Sequence, residues 1–394
     1  MLAKRVELVK PSLTLAIDAK AKQMKKDGID VIGFGAGEPD FNTPENIKEA
    51  GIRAIKENIT RYTPAAGTPE LKALIAEKFR KDNGLEYAPE NVSVNCGAKH
   101  SLYNIFQAVI DPGDEVIIFS PYWVSYIEQV RLAGGTPVLV DLDESKNFDI
   151  DFDLLESKIT GKTKVMIVNS PSNPTGGVLS EETLKKLGET AVKKGILMIS
   201  DEIYEEILYN GKKHISIASL DPEFKKITLV VNGVSKSYCM TGWRIGYVAG
   251  DNTAVIKAIN KIQSHSTSNP ASMSQAASVE ALKSDKAVIK KMVEEFDKRR
   301  KYMMERFDKI DGISYVEPEG AFYLYPNFSE IKGREIGGKK IENSMDFAAV
   351  MLEQAKVAVV PGVAFGTDFH FRMSYATSMD NIEKGLDRIE EILK

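Results

Sequence analysis

Apolar residues are distributed along this chain in two rhythms. Between residues 92 and 249, seven short apolar runs alternate with stretches whose apolar residues recur every three or four positions; the runs are 92–94, 115–119, 137–140, 165–168, 196–199, 227–231 and 245–249. Runs that short, bounded by turn residues, predict strands, and strands alternating with helices predict a mostly parallel sheet covered on both faces. Upstream, the spacing predicts an amphipathic helix over 14–27 closed by Gly28, a helix over 45–56 and another launched near Thr68. Beyond Gly250 the rhythm changes to long amphipathic helices, the longer over 285–307, then strands at 313–316, 321–324, 357–359 and 371–374 and a closing helix after Met379. A chain of 394 residues exceeds what one core usually supports. The pattern predicts an α/β protein with a large domain over 41–284, its seven-stranded mostly parallel sheet lying between helices. A smaller α/β domain is predicted over 285–394, joined by the N-terminal segment 1–40.

Charge narrows the function classes. Lysine and arginine number 52 against 56 acidic residues, a formal net charge of −4, so no overall field favours nucleic acid or an anionic membrane. Any cationic site is local. The N-terminal region carries no apolar segment followed by a small-residue cleavage site, and no apolar run approaches a membrane span, which predicts a cytoplasmic protein. Cys96 and Cys239 lie far apart and outside any CxxC, which argues against a disulfide. His100, His214, His265 and His370 show no ligand spacing, so no metal site is predicted.

In an open parallel sheet, ligands bind beyond the carboxyl ends of the strands. The first predicted strand leads through Cys96, Gly97, Ala98 and Lys99 into a helix, and the fourth into NSPSNPTG with Asn173. The fifth leads to Asp201 and Tyr204, and the sixth to Ser235 and Lys236, with Arg244 following before the seventh. Taken singly, each has a plain structural explanation: Asn173 as a turn residue, Asp201 as a helix cap, Trp123 of SPYWVSY as core, Lys236 and Arg244 as solvated loop cations. Their shared rim changes that balance. A lysine amine forms a Schiff base with an aldehyde, while a guanidinium, the Ser235 hydroxyl and the free amides of Gly97 and Ala98 at a helix N-terminus suit a phosphate. A carboxylate at a buried strand end suits a pyridinium nitrogen, which points to Asp201; Asn173 and Tyr204 suit a phenolate oxygen, and Trp123 suits the ring face.

Two other motifs fail. In GFGAGEPDF, residues 33–41, the third glycine of a dinucleotide fingerprint would fall on Glu38 with Pro39 following, so a tight turn with amides facing a ligand is expected instead. Gly161-Lys162-Thr163 is no P-loop, since Glu156 stands where its first glycine belongs and the sequence precedes a strand.

The segments GAGEPDF, RYTPAAGTPELK, SPYWVSY, NSPSNPTG, SDEIY, SKSYCMTGWRIGY and FRMSYA follow one another along essentially the whole chain. In that order they resemble the class I/II pyridoxal-phosphate-dependent aminotransferases of fold type I, in the aspartate aminotransferase-like group. The resemblance implies pyridoxal 5′-phosphate as cofactor, with Lys236 as its Schiff-base partner and as the group that moves a proton between substrate Cα and cofactor C4′. It implies Asp201 at the pyridine nitrogen, Asn173 and Tyr204 at the ring oxygen, and a homodimer in which Tyr62 reaches the phosphate of the neighbouring subunit's cofactor. Gly35 and Arg372 match the residues that hold the substrate α-carboxylate, a task suited to a forked guanidinium. The resemblance also implies that Trp123 and Asn173 face the substrate as well as the cofactor. The reaction implied is ping-pong transfer of an amino group from an amino acid to a 2-oxo acid.

Substrate choice follows from one difference. Some members bind the distal carboxylate with an arginine of the partner subunit located after the Schiff-base region, and residues 261–283 contain none. In the subgroup this chain resembles more closely, a lysine at the position of Lys99 takes that role, which predicts aspartate as donor and 2-oxoglutarate as acceptor. Alternatives with the same cofactor are aromatic amino acids, alanine, prephenate or a sulfur amino acid, including β-lyase chemistry. A non-catalytic sensor built on the same fold is a further alternative, against which the absence of a basic face argues.

Overall fold

The computed structural model describes residues 2–394. Its central sheet contains β1 (Val92–Asn95), β2 (Glu115–Ser120), β3 (Thr136–Asp141), β4 (Thr163–Asn169), β5 (Leu197–Asp201), β6 (Thr228–Gly233) and β7 (Gly246–Ala249). They lie in the order β1-β7-β6-β5-β4-β2-β3. Only β7 runs against its neighbours β1 and β6; the other pairings are parallel. The strands read as continuous apolar runs because both faces are covered. Val116 and Ile118 of β2 and Val165 and Ile167 of β4 enter one cluster with Leu102 and Phe106 of the helix Ala98–Val109. The alternate residues Ile117, Met166 and Val168 enter the opposite cluster with Leu184 and Leu187 of the helix Glu181–Lys194.

Local chemistry ends the elements where the chain turns. Thr68 caps the helix Pro69–Asn83 by accepting from Leu71 N at 3.4 Å, Pro69 starts it, and Gly84 closes it with φ +66°. The smaller sheet has three antiparallel strands, Val360–Pro361, Phe371–Ser374 and Tyr323–Leu324 in that order. It shares one continuous apolar cluster with the helices Ala287–Phe307 and Met379–Leu393 and with Val94, Tyr204 and Met240 on the large sheet's side. The two sheets are thus fused by packing, which is why no linker composition marks a boundary.

Two expected strands differ from the structure, and two short pairings were not expected. Residues 313–316 form no strand; Ser314 makes a single bridge to Asn327. The run at 357–359 divides, because Val357–Ala358 pairs parallel with Ile32–Gly33 while Val360–Pro361 joins the antiparallel sheet. The segment before GFGAGEPDF is therefore a two-residue strand, too short to show a period. The hairpin of Glu335–Ile336 with Lys339–Lys340 was legible in its Gly337-Gly338 turn, both with positive φ, and belongs among the elements.

Candidate active site

The carboxyl ends of β1, β4, β5 and β6 open on one cleft of about 590 Å³. Because β7 is antiparallel, the chain that leaves β6 at Lys236 re-enters the sheet at the same edge, and this keeps Arg244 on the rim. Lys236, Ser235, Asp201, Tyr204 and Asn173 line the cleft from the large sheet. Ala98, Lys99, Trp123 and Arg244 line it as well, and Gly35 and Arg372 complete it from the smaller sheet's side. Tyr62 does not: its side chain is 89% exposed, outside this chain's own cleft.

At the deep end, Asp201 is buried and its Oδ2 accepts from Tyr126 Oη at 2.7 Å, while Oδ1 accepts from Ile203 N at 3.3 Å. No helix follows Asp201, so it is not a helix cap. Burial pushes its carboxyl up to about 6, and the Tyr126 hydroxyl works against that rise. Asn169, the last residue of β4, donates from Nδ2 to Asp201 O at 2.9 Å and accepts from Asn173 N at 2.9 Å, tying the two strand ends together. Tyr126 and Asn169 escaped the sequence reading although SPYWVSY and NSPSNPTG contain them, and the strand-end rule would have flagged Asn169. Tyr323, whose hydroxyl lies 2.8 Å from that of Tyr204, comes from the smaller sheet and carried no signal.

Lys236 is half-buried, and its Nζ donates to the carbonyl of Gly37. Burial drives its ammonium down to about 8, with the Arg372 and Arg244 charges acting in the same direction and Glu38 opposing. Arg372 is buried, with Nη1 donating to Asn173 Oδ1 at 2.8 Å and Nη2 to Gly35 O at 2.9 Å. The Gly33–Phe41 turn therefore presents carbonyls to these two cations, where amides were expected. The Nε of Arg372 is buried without a partner.

At the opposite end, Gly97 precedes the helix Ala98–Val109 with φ +87°, and a Cβ there would lie 2.9 Å from Arg244 Cζ. Arg244 takes a positive φ of 56° and donates from Nη1 to Thr241 O at 2.8 Å. Gly97 itself backs Arg244 and does not line the cleft. Lys99 is exposed at the mouth with Nζ 5.0 Å over the Trp123 ring, and burial of its stem and the Arg244 charge lower its ammonium.

Among the described residues, Glu202, Glu205 and His214 bring potential ligand atoms within 4.8 Å of one another, a grouping the histidine spacing did not suggest. Lys78 already supplies positive charge there by pairing with Glu205.

The family described as aminotransferase class I and II matches residues 29–389. The aspartate aminotransferase of Bacillus sp. (strain YM-2) is 49% identical over 394 residues, covering 100% of this chain and 99% of that protein. A protein named "Probable aspartate/prephenate aminotransferase" from Aquifex aeolicus (strain VF5) is 48% identical over 395 residues, covering 100% and 98%. The crystal structure of the aspartate aminotransferase from Rhizobium meliloti superposes with a TM-score of 0.96 at 44% identity, covering 100% of this chain and 98% of that one. The chain belongs to the class I and II aminotransferase family. It is a pyridoxal-phosphate-dependent enzyme that takes amino acid and 2-oxo acid substrates.

The cleft fits that cofactor. A helix N-terminus and a guanidinium, pressed together at a position where only glycine leaves room, suit a phosphate. A buried carboxylate suits a ring nitrogen, and a lysine whose ammonium is already destabilised suits an aldehyde.

Proposed function

We propose that the protein transfers the amino group of L-aspartate to 2-oxoglutarate, as a cytoplasmic homodimer whose active sites draw on both chains. The position of Lys99 carries the substrate assignment. It and Arg372 are two cations of one cleft: neutral acceptors hold the Arg372 guanidinium, and Arg244 and burial disfavour the Lys99 charge. A substrate with two carboxylates relieves both. The same argument supports a second reading, prephenate, which also has two carboxylates and appears in the name of the Aquifex relative.

When bound, pyridoxal phosphate supplies an aldehyde for exchange with the substrate amine and a ring that withdraws electrons from the substrate Cα. In this assignment Arg244, Ser235 and the amide of Ala98 would hold its phosphate, since the Gly97 amide already donates to Asn95 O at 2.8 Å; Trp123 would cover one ring face, and Asn173 and Tyr204 would bind its ring oxygen. Asp201 would hold a proton on the ring nitrogen, with its carboxylate oriented by the Tyr126 hydroxyl. Arg372 forks onto the α-carboxylate, with Gly35 and Asn173 fixing its plane and its unpartnered Nε available. Lys236, whose ammonium is lowered to about 8 and so gives up its proton more readily than an ordinary lysine, would take up the proton from the substrate Cα and hand it back.

The dimer rests on exposure. Ile52, Ile55 and Ile59, upstream of Tyr62 in the chain, are exposed as well, apolar surface that a second copy would cover. The two cysteines are free, in keeping with a reducing compartment. Residues 1–40 and 285–394 are proposed to form one domain against 41–284, supported by the pairing of Ile32–Gly33 with Val357–Ala358. The deciding experiment compares kcat/KM for L-aspartate, L-phenylalanine and L-alanine with 2-oxoglutarate as acceptor, and for prephenate as acceptor. Aspartate is expected to exceed phenylalanine by about a hundredfold or more; equal turnover of the two would remove the aspartate assignment.

A further inference from the structure

Glu144 lies in the short 3-10 turn Glu144–Lys146 that follows β3 of the large sheet. Its Oε2 accepts from His370 Nε2 at 3.0 Å and from Asn327 Nδ2, two residues from the smaller sheet's side of the molecule. Asn327 and His370 pair with each other as an antiparallel bridge. His370 directly precedes the strand Phe371–Ser374 and stands two residues from Arg372. Its ring stacks on Tyr325, with centroids 4.8 Å apart at 10°, and the Tyr325 hydroxyl lies 2.6 Å from that of Thr367. The His370 Nδ1 is buried without a partner, so the bond to Glu144 is what fixes the ring's polar edge. Burial works against the Glu144 charge, yet the bonds from His370 and Asn327 outweigh it and hold the carboxyl below its ordinary value.

The consequence concerns Arg372. Its guanidinium packs over the rings of Tyr323 at 4.3 Å and Phe365 at 4.9 Å and donates to Asn173 and Gly35, so a shift of its four-residue strand would carry the fork off these partners. That strand is bonded to neighbours of the smaller sheet along its length. Its leading end is tied to the large sheet through Glu144. We propose that Glu144 is a positioning residue for the substrate carboxylate: by accepting from His370 and Asn327 together, it seats the strand that carries Arg372 against the wall of the cleft. This rests on the assignment of Arg372 to that carboxylate.

The test measures maleate, a non-reacting dicarboxylate, binding to the holoenzyme by calorimetry, with the cofactor absorbance and the thermal midpoint recorded alongside. Glu144→Ala is expected to weaken maleate by about tenfold, below the roughly hundredfold that an ångström of misplacement can cost, with the cofactor absorbance unchanged. Glu144→Gln is expected to bind within about twofold of the parent, because both donors converge on one oxygen and an amide oxygen accepts both. If Glu144→Ala does not accumulate as folded protein, Glu144→Asp, too short to reach both donors, takes its place with the same expected loss. Parent-like binding by the Ala or Asp variant, or a Gln variant as weak as the Ala one, overturns the proposal. Arg372→Lys separates the two assignments. If it leaves maleate affinity unchanged, the Arg372 assignment fails and takes this one with it; if it weakens maleate while the Glu144 variants do not, only the Glu144 proposal falls.

Discussion

Gly97 and Arg244 meet so closely that a Cβ on residue 97 would lie 2.9 Å from the Arg244 Cζ, at a backbone φ of +87°. The positive φ favours glycine at this point, and any side chain there must push the Arg244 guanidinium aside. Gly97→Ala is therefore expected to displace Arg244 from the helix N-terminus while leaving the rest of the sheet intact. Titration of the apoprotein with pyridoxal phosphate, followed by absorbance, should show affinity weakened by about thirtyfold or more, and the backbone strain itself should cost about 1–3 kcal/mol of stability. A variant that binds the cofactor as tightly as the parent would argue that the phosphate lies elsewhere.

Asp201 gives the apoprotein a pH dependence opposite to that of most carboxylates. Its folded value, about 6, lies above the ordinary 3.8, so between these two the folded state binds more protons than the unfolded state. Stability from this group is complete below about pH 4 and is lost as pH rises toward 6, on the order of 3 kcal/mol in total. Denaturant unfolding of the apoprotein should reveal that slope, Asp201→Asn should remove it, and cofactor should reduce it by supplying a positive ring nitrogen. Tyr126→Phe removes a donor that favours the anion, so the slope should move to higher pH.

What the chain discloses before folding divides along physical lines. Ala98, Lys99, Asn173, Asp201, Tyr204, Ser235, Lys236 and Arg244 reach the cleft and were legible because each follows or flanks a strand whose apolar run is plain, and strand ends share a rim. Tyr323 and the carbonyls of Gly35 and Gly37 were not, because main-chain acceptors leave no composition signal and Tyr323 lies far along the chain. Tyr126 was hidden differently. Its side chain is buried and reads as core until Asp201 is seen beside it. The smaller strands were only partly legible, since two-residue strands such as Ile32–Gly33 and Val360–Pro361 are too short to display a period.

Tyr62 offers a test of the shared site that does not depend on measuring assembly. Its exposed ring lies outside its own cleft, so its proposed role is exercised on a second chain. Lys236→Ala alone is expected to lower amino transfer by about 10⁴-fold or more, through loss of the proton carrier and of the covalent attachment. Tyr62→Ala alone should weaken the cofactor site of the partner. In dimers made by mixing the two variants, one site inherits both defects and the other neither, so activity should recover to roughly a quarter of the parent's under random exchange. No recovery above the sum of the separate variants, with exchange verified by mass, would place Tyr62 outside the reaction.

Two measurements address the proposed role of Lys99 in selecting a substrate with a distal carboxylate. Burial and Arg244 lower its ammonium, so the free site holds a proton loosely, and a bound distal carboxylate favours it again. Aspartate binding above the lowered value should therefore take up a proton, visible as a binding enthalpy that changes with the ionisation enthalpy of the buffer. Lys99→Ala should abolish that uptake and lower kcat/KM for aspartate by about 10–100-fold, the cost of leaving a carboxylate without its charged partner. Alanine, which has no distal carboxylate, should be turned over within about twofold of the parent rate constant. Equal losses for the two amino acids would instead make Lys99 a cofactor or structural residue, acting through the Trp123 ring beneath it.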